Sequence, residues 1–84
     1  MSSKPYNGYP SYNAWNVSLW ISNDEGFYQL ALDCLKEAKK QKKPKITAAI
    51  AFLNFLNECS ITHTPDGVRY TKTNILHALR GLED

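Results

Sequence analysis

Two cysteines, four glycines, four prolines and one methionine in 84 residues leave little material for covalent staples or tight phosphate loops. Cys34 and Cys59 cannot build the disulfide framework that small exported domains rely on. Both fall on apolar positions of expected helices, where a free thiol behaves as a small hydrophobe. The longest strictly apolar run, Ala48 to Leu53, is far short of the roughly 20 residues needed to cross a bilayer. No basic-then-apolar stretch opens the chain, so no secretory leader is expected, and the cytoplasm is the expected location. Catalytic patterns are missing too: there is no glycine-rich phosphate loop and no nucleophile elbow. Asp24 and Glu25 are adjacent carboxylates, but helix-start duty accounts for them. Cys34, Cys59, His63 and His77 are four potential zinc ligands without the tight paired spacing of structural zinc sites. The chain is therefore expected to be non-enzymatic, with no metal and no cofactor.

What is present is ordinary globular material, 43% hydrophobic with ten aromatic residues, enough for one small core. The charge is unevenly spread. Lys36, Lys39, Lys40, Lys42, Lys43 and Lys45 face a single Glu37, so this window carries +5 of a net +2 and leaves the remainder at −3. A local positive field on a slightly acidic body follows.

The pattern predicts a mainly all-α fold: a flexible aromatic arm over residues 1–12, then one compact helical domain over 13–84. Residues 13–22 form a first short helix, with Trp15 and Leu19 on one stripe and Trp15 and Trp20 expected to anchor the core. Ser22 followed by Glu25 fits a capping box that opens a second helix to about Lys40. In it Phe27, Leu30, Ala31, Cys34, Leu35 and Ala38 recur at helical spacing, and Pro44 is expected to end it. Thr47 is expected to cap a third helix, to about Glu58, that buries Ala49, Ile50, Leu53 and Leu56, with Phe52 and Phe55 widening the apolar face. Thr64-Pro65-Asp66-Gly67 suits a type I turn, flanked by short extended pieces able to pair as a two-stranded hairpin. Thr71 then caps a fourth helix from Lys72 to about Arg80, with Ile75, Leu76 and Leu79 inward and Gly81 ending it. The result is a four-helix domain, helix-turn-helix-like between helices three and four.

The last helix carries Lys72, Thr73, Asn74, His77 and Arg80, with Arg69 on the extended piece before it. Thr73, His77 and Arg80 share a face opposite Ile75 and Leu79. Asn and Arg suit base edges, while Lys72 and Thr73 at a helix start suit a phosphate. The lysines between positions 36 and 45 would add salt-dependent contacts to the backbone. A plain solvated face explains the same residues. A nucleic acid, DNA first, is one expected partner. The other is a host protein engaged through Tyr6, Tyr9 and Tyr12, since aromatics anchor protein interfaces. A homodimer suits either case, and no membrane partner is expected.

Two resemblances bear on this. From Leu56 to Leu79, L-N-E-C-S-I-T-H-T-P-D-G-V-R-Y-T-K-T-N-I-L-H-A-L resembles a motif in the recombinase domain of large serine recombinases. The matching positions are Leu56, Asn57, Glu58, Ile61, Thr64, Gly67, Tyr70, Thr71, Ile75 and Leu79. In that family the region belongs to a DNA-binding unit like a helix-turn-helix; the catalytic serine domain has no counterpart here, so recombination is not implied. Y-N-A-W-N-V-S-L-W-I-S-N-D-E-G-F-Y, followed by T-H-T-P-D-G-V-R-Y-T, is similar to small proteins of phages and other mobile elements. That likeness implies a small regulator, or a host-interaction or anti-defence protein, and brings no defined activity.

Overall fold

The computed structural model describes residues 9–83. Four helices follow one another: α1 (Tyr12–Asn23), α2 (Glu25–Ala38), α3 (Pro44–Glu58) and α4 (Lys72–Glu83). The fold is all-α, and among the described residues no strand forms, as the short pieces around the turn allow only one isolated bridge.

Helix boundaries follow local chemistry, and several differ from expectation. Ser11 is extended and its Oγ accepts the Ala14 N–H at 3.1 Å, so α1 starts at Tyr12, inside the stretch expected to be an arm. Ser22 does not cap α2 because it still belongs to α1. Asp24 does both jobs instead: its N–H bonds the Trp20 carbonyl at 3.2 Å, and its carboxylate accepts the Phe27 N–H at 3.0 Å. Pro44 opens α3 rather than stopping α2, since a fixed φ and a missing N–H suit the first helical position. Thr47 consequently lies within the first turn, its N–H already bonded to the Lys43 carbonyl at 3.0 Å. At the far end Ser60 takes a left-handed φ of 61°. The Ser60 and Ile61 N–H groups bond the Asn57 and Leu56 carbonyls at 3.1 and 2.8 Å, which closes α3 in a Schellman arrangement.

The turn comes out as expected. Gly67 N–H bonds the Thr64 carbonyl at 2.8 Å, and Gly67 sits at a φ of 88°, a left-handed conformation that glycine adopts without steric cost. Thr64 N–H to the Val68 carbonyl at 2.7 Å and Tyr70 N–H to the Thr62 carbonyl at 2.9 Å pair the flanks on either side of the antiparallel His63–Arg69 bridge. This is a type I turn followed by a glycine bulge. Thr71 then caps α4, its Oγ1 accepting the Asn74 N–H at 3.1 Å. Gly81 does not end that helix, which continues to Glu83.

Each helix packs against two others, in the cyclic order α1, α2, α3, α4. The core holds Val17 and Ile21 of α1, Ala31, Leu35 and Ala38 of α2, and Ala48, Ala49, Phe52 and Leu56 of α3. Val68, Tyr70, Ile75, Ala78 and Leu79 complete it. Phe52, the largest fully buried side chain, meets the Phe27 ring edge-on at 5.9 Å, and Phe27 meets Tyr70 at 6.3 Å. The tryptophans do not anchor this core. Trp15 and Trp20 are half-buried, and the buried residues of α1 are Ala14, Asn16, Val17, Ser18 and Ile21. Among these, Ala14 and Ser18 permit close helix approach, where an indole would hold the helices apart. On α3 the buried stripe is rotated from the expected one: Ala48, Ala49, Phe52 and Leu56 are inside, while Ile50 is 43% exposed. Cys34 is half-buried, but Cys59, just past the end of α3, is exposed rather than packed.

Candidate nucleic-acid interface

The cationic residues fall into three positions on this frame. Lys36 lies in the last turn of α2, followed by exposed Lys39, Lys40, Lys42 and Lys43 along the connection to α3. Lys45 is half-buried in the first turn of α3. Arg69 is exposed on the bridge, and Lys72 and Thr73 are exposed on the first turn of α4. Arg80 is exposed in its last turn.

Two of these groups meet. Lys43, Pro44, Lys45 and Ile46 at the start of α3, with Leu76 and Arg80 of α4, line an open groove of about 330 Å³. The start of α3 has no side-chain cap, so its first N–H groups, the positive end of the helix dipole, add to the field of the three cations. Thr73, His77 and Arg80 keep their expected shared face by helical spacing, although His77 is half-buried. Asn74 is also half-buried, and its side-chain amide donates to the Arg69 carbonyl at 3.4 Å, joining hairpin to helix. Lys72 and Arg69 stand about 12 Å or more along α4 from Arg80, on the rise of eight helical residues.

The tyrosines separate. Tyr6 lies outside the described residues. Tyr9 is half-buried on the body: its phenol oxygen accepts the Ser18 hydroxyl at 2.7 Å, and its ring lies where a Cβ on Gly81 would stand. Tyr12 is 43% exposed with its ring 5.7 Å from that of Trp15.

A polar cluster with no counterpart in the sequence reading lies under the turn. Asn16, fully buried on α1, donates to Asp66 Oδ2 at 2.8 Å and accepts the Thr64 hydroxyl at 2.7 Å. Trp20 Nε1 donates to the same Asp66 oxygen at 2.9 Å. The Asn16 bond first, and the indole bond second, hold the Asp66 carboxyl below its usual range. Asn16 and Trp20 share the four-residue helical step, which was the available signal, but their partners lie about fifty positions away. A second groove, of about 430 Å³, separates α2 from α3 and exposes one side of Cys34. Burial, and then the charge of Asp33, push that thiol up, which makes it a poor nucleophile. Among the described residues no three metal-ligating side chains gather, and no helix is long and apolar enough to cross a membrane.

Comparison with known proteins gives one finding. The model of a family of unknown function, DUF7249, matches residues 2–80. No curated protein and no solved structure matches the chain.

Proposed function

The chain belongs to the family of unknown function DUF7249, and for this member of it we propose a non-enzymatic nucleic-acid-binding role, as a small regulator of the phage or mobile-element kind. One observation carries the reading: Arg80, on the helix expected to enter a groove of DNA, shares a cationic groove with Lys43 and Lys45. Two cation sets far apart in sequence thus become one surface. Lys39 and Lys42, exposed on the same connection, extend it, whereas Lys40 belongs to the rim of the α2/α3 groove; Lys72, Thr73 and Arg69 continue at the other end of α4. Lysines and the uncapped helix start take backbone phosphates; Arg80 and His77 reach bases. The packing of α3 on α4 supports a unit like a helix-turn-helix, although the connection, Cys59 to Thr71, is longer than the three or four residues usual for that motif.

The test is fluorescence anisotropy with duplex DNA across a range of salt. The logarithm of affinity should fall linearly with the logarithm of salt concentration, and the slope should shrink by about one for each phosphate contact removed. Lys43→Gln and Arg80→Gln should each weaken binding. Salt-independent binding, or affinity unchanged in both variants, refutes the proposal. The other reading, an inhibitor of a host machine acting through Tyr6, Tyr9 and Tyr12, draws less support, because Tyr9 is engaged by Ser18 and Gly81.

A further inference from the structure

The groove between α2 and α3 has a shape that its own neighbour can fill. Its walls are Cys34 and Ala38 from α2 and Thr47 and Ala51 from α3, with Asp33, Glu37, Lys40 and Gln41 along the α2 rim. The α3 ridge runs Thr47, Ala51, Phe55, Glu58 at steps of four, four and three, so all four residues share one side of the helix. Phe55 is thus a knob about 6 Å beyond Ala51 along the axis, on the ridge that walls the cleft. It is 41% exposed, a large apolar ring left in water beside an open cleft of about 430 Å³.

We propose that a second copy of this chain occupies the cleft, in a two-fold dimer in which Phe55 of each copy enters the α2/α3 groove of the other. A two-fold contact requires a self-complementary surface, and a knob and a hole offset along one ridge provide it when the two α3 helices run antiparallel. The charges agree with that register. Glu58 lies three residues beyond Phe55, so in the antiparallel arrangement it reaches the Lys40 end of the partner's cleft. The opposite register would put Glu58 beside Asp33 instead. A buried aromatic seated in a pocket is the usual anchor of such interfaces. The groove of Lys43, Lys45 and Arg80 lies between α3 and α4, on the other side of α3, so pairing leaves it open in both copies. The dimer does not rest on the nucleic-acid reading.

Sedimentation equilibrium of the full chain tests it, from micromolar to millimolar concentration, with circular dichroism to verify that each variant folds. A reversible dimer is expected. Phe55→Ala, which removes the knob, and Ala51→Arg, which fills the hole, should each raise the dissociation constant about tenfold or more. Glu58→Lys should weaken pairing, and adding Lys40→Glu to it should restore most of the loss. A monomer at every concentration gives the cleft to some other occupant and overturns the proposal. So does a dimer indifferent to Phe55→Ala and Ala51→Arg. Salt-dependent DNA binding measured on the Phe55→Ala variant keeps the two proposals separable.

Discussion

Asn16 is an amide with no exposed surface on a helix whose other buried residues are Ala14, Val17, Ser18 and Ile21, and both ends of its side chain are satisfied by the turn. Buried polar groups are costly when left unpaired, so this residue does more than fill space. Asn16→Ala leaves the buried Thr64 hydroxyl without its acceptor and should lower the unfolding free energy by roughly 1–3 kcal/mol, measured by urea denaturation. Asp66, the exposed member of the cluster, adds a pH dependence. Its folded value is depressed below the ordinary 3.8, so its contribution to stability is fully present above that pH. The contribution is lost as pH falls through the folded value. Acid titration followed by Trp20 emission should therefore show a transition that Asp66→Asn flattens. The sequence displayed the turn residues and the tryptophan plainly. It did not show that the indole N–H needs a surface acceptor 46 positions away, which is why Trp20 reads as core and is not.

The existence of every helix was legible in the sequence, and the orientation of two of them was not. In α4, polar Lys72, Thr73 and Arg80 leave Ile75, Leu76 and Leu79 no choice of face. In α3, Ile46, Ile50 and Leu53 on one flank compete with Phe52, Phe55 and Leu56 on another, and the alanines at 48 and 49 decide by permitting close approach. Boundaries shifted where one residue had two possible duties, as Pro44 did between ending one helix and opening the next. Gly81 is another such residue. Inside α4, alanine would be preferred over glycine by about 0.5–1 kcal/mol, but a Cβ there would run into the Tyr9 ring. In the wild-type background Gly81→Ala should bring little or no gain in Tm, because it displaces Tyr9 from Ser18. In a Tyr9→Ala background the same change should raise Tm, a non-additivity that a thermal double-mutant cycle detects.

At the scale of the whole molecule, a net charge of +2 conceals two unlike grooves on either flank of α3. One carries Lys43, Lys45 and Arg80; the other mixes Asp33 and Glu37 with Lys40 over an apolar floor. A global charge this small gives little long-range steering, so the proposed salt-dependent affinity for DNA has to arise locally. Asp33→Asn should accordingly leave that affinity nearly unchanged, although it raises the net charge by as much as Arg80→Gln lowers it. The lysine run was visible in the sequence, and so was the polar face of α4. Their meeting was not, because it depends on Pro44 starting a helix and thereby placing Lys43 and Lys45 beside the end of α4.

Asp24 is the whole of the joint between α1 and α2, closing one helix with its backbone and opening the other with its side chain. No slack residue separates them, so α1 and α2 meet at a corner with no linker between them. An extra residue inserted there could not loop out: it would turn α2 by about 100° about its own axis, swinging Ala31, Leu35 and Ala38 toward water. Length at this corner is therefore held as tightly as any side chain in the interior.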